Sequence, residues 1–137
     1  MRPITLLDTG PLVAALDRKD QHHTWAVEQF RTLPLPFLTC EAVCTEAAYL
    51  LRQAGAKPAD LLALLTSGAV VIRYGLEAEA EPLVDLLTKY DDVPMDLADA
   101  CLVRMTEMHP GSKVLTLDSD FHIYRKHKRE AIPVIMP

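Results

Sequence analysis

Four carboxylates in this chain are set apart by where they fall. Asp8 closes the short apolar run Ile4-Thr5-Leu6-Leu7, and Asp118 closes the run Val114-Leu115-Thr116-Leu117 in the same way. Asp99 lies three residues after Asp96 at a helix start, and Glu46 sits in a helical pattern among Ala42, Val43, Tyr49 and Leu50. Carboxylates brought together raise one another's pKa unless a cation offsets the charge. Hard divalent ions that take oxygen ligands, Mg²⁺ or Mn²⁺, do this naturally. An ion held this way can activate water and stabilise a pentacovalent phosphate and its leaving oxygen, the chemistry of metal-assisted phosphodiester hydrolysis. The chain has no glycine-rich loop ending in Gly-Lys-Ser/Thr that would cradle a nucleoside triphosphate instead.

The elements around these acids decide whether they meet. Short strands are expected over residues 4–7, 37–40, 69–73, 113–117 and 132–135. A helix is expected after Pro11, with Leu12, Val13 and Leu16 on its apolar side. Another covers 22–33, with Trp25, Val27 and Phe30 available to a core, and Pro34 and Pro36 end it. Thr39 is expected to cap a helix that runs to about Ala54 before Gly55. Further helices are expected over 58–67, 76–90 and 96–109, and a loop or short turn over 118–124 leads into the basic run 125–129. Strands separated by helices imply an α/β fold with a parallel sheet covered on both faces. The carboxyl ends of its strands lie on one edge, where such folds place ligands, and the helices return their N-termini there. Asp8 and Asp118 follow strands, Asp99 lies in a first helical turn and Glu46 within about two turns of a helix start. Four acids remote in sequence therefore converge on one rim.

Each acid also has a structural reading. Asp8 could cap the helix after Pro11. Asp96 and Asp99 both suit capping and the helix dipole, and we assign that work to Asp96 and the metal to Asp99. Glu46, beside an apolar stripe with no basic residue before Arg52 in its helix, needs a partner that the helix does not supply. Asp118-Ser119-Asp120-Phe121 could be an Asx-type turn, a role assigned to Asp120. Glu77, Glu79, Glu81 and Asp85 read as a solvated helix face.

The 137 residues suit one domain, 1–137, with no linker or repeat. No apolar run is long enough to span a bilayer, and the start, residues 1–8, is too short in its apolar part for a signal peptide, so a cytoplasmic location is expected. Cys40, Cys44 and Cys101 make no disulfide framework and are expected to be small buried residues, with zinc a remote alternative. The net charge of -5 looks unfavourable for binding phosphates. Setting the four acids aside leaves 15 of the 19 acidic residues against 14 Lys and Arg. Bound cations would offset the rest locally.

Four segments in this order, Leu7-Asp8-Thr9-Gly10-Pro11-Leu12, Thr45-Glu46-Ala47, Asp96-Leu97-Ala98-Asp99-Ala100 and Thr116-Leu117-Asp118-Ser119-Asp120-Phe121, span nearly the whole chain. With them the sequence resembles the PIN-domain ribonucleases, most closely the VapC-like toxins of bacterial toxin–antitoxin pairs. The resemblance implies a three-layer fold with a central five-stranded parallel sheet, and Mg²⁺ or Mn²⁺ held at the positions of Asp8, Asp99 and Asp118, with Glu46 in the same cluster. It implies endonucleolytic cleavage of RNA, a homodimer, and for many members a small antitoxin that covers the site and also binds DNA. Thr9 fits the serine or threonine often found after the first acid; its hydroxyl could reach a ligand carboxylate or phosphate, or cap the next helix. Arg125, Lys126, Lys128 and Arg129 are candidate RNA-phosphate contacts and Asp120 a further contact, while a charge run is also ordinary solvated surface. Tyr124 could stack a base or pack in the core. Competing readings are a housekeeping RNA-processing nuclease on the same fold and a degenerate PIN domain that binds RNA or protein without cutting. A phosphotransfer receiver would want an acidic pair by the first strand, and a phosphatase a second Asp where Gly10 stands.

Overall fold

In a computed structural model the described residues are 3–137; Met1 and Arg2, the first residues of the start read as lacking a leader, lie outside them. The chain runs β1 (Thr5–Leu7), α1 (Thr9–Leu16), α2 (His23–Thr32), β2 (Phe37–Thr39), α3 (Glu41–Gln53), α4 (Pro58–Ser67), β3 (Val70–Ile72), α5 (Ala80–Lys89), α6 (Leu97–Met108), β4 (Lys113–Leu115), β5 (Arg125–Lys126), β6 (Glu130–Ala131) and β7 (Val134–Ile135). Five strands form one parallel sheet in the order β3-β2-β1-β4-β7. The connections β1 to β2 and β2 to β3 step the same way across the sheet, whereas β3 to β4 steps back. Right-handed crossovers therefore put α1 to α4 over one face and α5 and α6 over the other. This is the three-layer architecture expected from the sequence. Its core joins Leu6, Leu7 and Val114 of the central strands to Val43, Ala47 and Leu51 of α3 and to Leu102 and Val103 of α6, all fully buried. Among the described residues no helix is long and apolar enough to cross a membrane.

Local chemistry explains the boundaries. Pro58 opens α4, and Gly68, with φ 82°, closes it in the left-handed conformation that a side chain disfavours. A bare Cα is also needed at Gly10, in the first turn of α1, where a Cβ would stand 3.1 Å from the Cβ of Leu117. That close approach brings the start of α1 onto the segment leaving β4.

Several expectations are corrected. Thr39 does not cap α3; the N-cap is Cys40, and the Thr39 hydroxyl donates to the Leu7 carbonyl at 2.8 Å, tying β2 to β1. The expected helix over 76–90 begins as a 3₁₀ turn at Glu77–Glu79. Glu79 is not merely solvated, because it accepts from Arg104 of α6 at 2.6 Å. The basic run 125–129, to which the sequence assigns no element, lies in a hairpin: β5 and β6 pair antiparallel, and the turn between them holds His127 and Lys128 at positive φ. Trp25 and Phe30 pack against the core only in part.

Candidate active site

β1 and β4 are neighbours, yet β1 continues toward one edge of the sheet and β4 toward the other. The crevice beyond their carboxyl ends is therefore the topological switch point of the sheet, the place where open α/β sheets bind ligands. Asp8 and Asp118 leave these two strand ends. A cleft of about 380 Å³ lies there, and its lining includes Asp8, Thr9, Glu46, Asp96, Asp99 and Asp118. Among the described residues no lysine or arginine lines it.

Asp8 is both cap and site residue. Its Oδ1 accepts from the Thr9 N–H at 2.7 Å at the start of α1. Its Oδ2 accepts from the Thr116 hydroxyl at 2.7 Å. The side chain is 6 % exposed, and burial raises its pKa from 3.8 to about 6 against the lowering effect of those two donors. Thr116, fully buried, also accepts the Asp118 N–H at 2.9 Å. One hydroxyl thus joins the acids of two adjacent strands. Strand alternation puts Thr116 and Asp118 on one side of the chain, a signal present in the sequence but not used there.

Asp96 and Asp99 share the capping of α6. Asp96 Oδ1 accepts from the Asp99 N–H at 2.8 Å, and Asp99 Oδ2 accepts from the Asp96 N–H at 3.3 Å. The assignment of capping to Asp96 alone is therefore corrected: both carboxylates cap, and both line the cleft. Asp99 is buried, and desolvation, followed by the charge of Asp96, raises its pKa to about 7. Its Oδ2 also accepts from Tyr124 at 3.0 Å. Tyr124 is fully buried, so it packs in the core and offers no face to a base.

Asp118 takes the turn that had been given to Asp120: its Oδ1 accepts from the Asp120 N–H at 2.9 Å. Glu46 is half-buried, and no hydrogen-bond partner for its carboxylate is found among the described residues. Burial, then the charges of Asp96, Asp8 and Asp118, raise its pKa. The stripe beside it is not the expected one. Val43, Ala47 and Leu51 face the core, while Tyr49 is 63 % exposed and Leu50 stands at the cleft. Thr9 does not cap α1 with its hydroxyl, since Asp8 does so; its Oγ1 is buried without a partner among the described residues, and Thr9 lines the cleft.

Among the described residues no three carboxylate, histidine or cysteine side chains already form a group that could hold a metal ion. The acids line an open cleft instead of a closed cage. The basic run lies elsewhere: Arg125 and Lys128 border a separate groove of about 400 Å³ with Pro82, Leu86 and Lys89. Cys40 and Cys101 meet beside Tyr74 in a small cavity apart from the acids.

A family model described as "PIN domain" matches residues 5–126. A curated relative, Ribonuclease VapC26 of Mycobacterium tuberculosis (strain ATCC 25618 / H37Rv), is 28% identical over 115 residues, covering 82% of this chain and 85% of that protein. The crystal structure of Mycobacterium tuberculosis VapC20, described as a sarcin–ricin loop cleaving toxin, superposes with a TM-score of 0.78. That superposition covers 94% of this chain and 99% of the other at 19% sequence identity, a likeness of fold.

Proposed function

Since the chain belongs to the PIN-domain family, we propose that it is a metal-dependent endoribonuclease that hydrolyses RNA phosphodiester bonds. The observation that carries this reading is the cleft: acids from four separate segments of the chain meet at the sheet's switch point, and among the described residues no basic side chain lines it. Burial, with a smaller contribution from one another's charge, raises the pKa values of Asp8, Glu46 and Asp99. The donors fit a hard cation. All are oxygens, and among the described residues neither the buried Thr9 hydroxyl nor the Glu46 carboxylate has a hydrogen-bond partner. An open arrangement suits Mg²⁺ or Mn²⁺, because Mg²⁺ keeps several waters and commonly takes only one or two carboxylates from the protein.

Asp8, Asp99 and Asp118 would hold the ion, which when bound supplies an activated water and charge stabilisation at the phosphate. Glu46, which has no hydrogen-bond partner among the described residues, would accept a proton at its carboxylate as the general base. Thr116 and the Thr9 N–H orient Asp8. The Thr9 hydroxyl is a donor for a phosphate oxygen, and Lys126, Lys128, Arg129, Arg125 and Asp120 are candidate contacts for RNA beyond the cleft. The ribonuclease relative supports action on RNA, and membership of a toxin–antitoxin pair is part of the same proposal. A cytoplasmic homodimer held by a small antitoxin completes the proposal.

The test is cleavage of an RNA panel in Mg²⁺ or Mn²⁺ by the wild type, Asp8→Asn and Asp99→Asn. Metal-dependent internal cuts that both substitutions abolish are expected. A wild type that cuts nothing, or variants that cut equally well, sink the reading.

A further inference from the structure

Tyr124 is a fully buried residue whose phenol hydroxyl donates to an acid that lines the cleft. Its O–H donates to Asp99 Oδ2 at 3.0 Å, the oxygen that also accepts the Asp96 N–H. Asp99 Oδ1 has no donor among the described residues. Resting on the metal-dependent nuclease reading above, we infer that Tyr124 is a positioning residue that makes Asp99 a one-oxygen metal ligand, holding Oδ2 and leaving Oδ1 for the cation.

The surroundings of Tyr124 are built to aim it. Its ring packs edge-to-face against Tyr90, with centroids 5.2 Å apart, and against Phe121, also at 5.2 Å. The chain on either side is clamped. Arg125 donates its N–H to the Tyr90 hydroxyl at 2.9 Å. The Arg125 guanidinium donates to the carbonyls of His122, Ile123 and Tyr124. Lys89 donates to the Lys128 carbonyl at 2.9 Å across the hairpin turn. At least part of the basic run thus fixes the tyrosine, and the hairpin becomes a support of the cleft. A carboxylate that binds metal through one oxygen needs its other oxygen held, or the group rotates and the ligand is poorly placed; such supporting bonds are commonly worth 10- to 100-fold in metal affinity.

A structural alternative is plain: a buried phenol needs an acceptor, and Asp99 supplies it. Two substitutions separate the ideas, because Tyr90 and Tyr124 share one aromatic cluster. Tyr124→Phe and Tyr90→Phe each delete one hydrogen-bonded phenolic oxygen and keep the ring. Mn²⁺ binding is measured by calorimetry without RNA, alongside thermal melts. Y124F should weaken Mn²⁺ binding roughly 10-fold or more, and raise by the same factor the Mn²⁺ needed for half-maximal cleavage, with the KM for RNA unchanged. Y90F, whose hydroxyl reaches Tyr124 only through the Arg125 backbone, should lose clearly less Mn²⁺ affinity than Y124F despite a similar loss of thermal stability. Equal affinities for Y124F and wild type, or equal losses in both variants, overturn the inference and leave the nuclease reading intact. A wild type that binds Mn²⁺ and cuts no RNA removes the nuclease reading, and the calorimetry still decides the role of Tyr124.

Discussion

Replacing Asp8 by Asn should stabilise the metal-free protein at pH 8 while removing a carboxylate from the cleft. Burial raises the Asp8 pKa from 3.8 to about 6. A carboxyl that holds its proton more tightly when folded contributes stability that is complete below about 3.8 and lost as pH rises through about 6. At pH 8 the ionised group therefore costs the fold about 3 kcal/mol. D8N removes that cost. It keeps an oxygen for the Thr9 N–H but sets an amide against the Thr116 hydroxyl, which now donates to Oδ2 at 2.7 Å. That mismatch costs about 1 kcal/mol. The net gain is about 2 kcal/mol, roughly 7 °C in Tm for a chain of this size. The assay is thermal unfolding in a chelator from pH 8 down to pH 4.5, repeated with Mn²⁺. The gap between D8N and wild type should close as pH falls. Mn²⁺ should raise the Tm of the wild type, since a ligand of the folded state stabilises by mass action, and barely move D8N. A D8N variant less stable than wild type at pH 8 in chelator would refute the reasoning, because it would mean the fold already compensates this carboxylate.

Glu46→Gln should reduce cleavage by about 100-fold or more while sparing the fold, since its carboxylate has no hydrogen-bond partner among the described residues to lose; single-turnover cleavage beside a thermal melt checks both. Thr116→Val should cost about 1–3 kcal/mol, because it strips a donor from Asp8 and an acceptor from the Asp118 N–H, whereas Thr116→Ser should retain most of both; urea unfolding measures the difference. Lys126→Gln and Arg129→Gln should each lower the salt dependence of RNA binding by about one unit of slope if RNA crosses the hairpin, and titrations across salt concentration would show no change if it does not.

The sheet was legible because each strand is a short apolar run beside a turn signal, and the helices that separate β1, β2, β3 and β4 favour parallel pairing. The Arg125–Ala131 hairpin was not, because Arg-Lys-His-Lys-Arg carries neither alternation nor a glycine turn. What holds it is tertiary: Glu107 accepts the His127 N–H at 2.7 Å, and Lys89 meets the Lys128 carbonyl. Thr39 misled in the opposite sense. A threonine before a helix is a good cap by propensity, but the Leu7 carbonyl lies within reach once β1 and β2 pair, and the hydroxyl goes there.

The acids show the same division between position and partner. That Asp8, Glu46, Asp99 and Asp118 share a rim follows from strand ends and helix starts, and the cleft brings all four together. Which acid does the structural work did not follow, because capping is decided by a carboxylate's reach to one N–H. Asp118 reaches the Asp120 N–H, and Asp99 reaches back to that of Asp96. Capping and ligation are therefore not rival roles at this rim. Asp8 and Asp99 each accept a backbone N–H at the start of a helix and a hydroxyl from a buried side chain, Thr116 or Tyr124. Those bonds restrain the carboxylates without neutralising them, and burial keeps both pKa values high against their lowering effect. A rim built only for fold stability would be better served by asparagine at these two positions. Retaining ionisable groups there makes physical sense when a cation completes the charge.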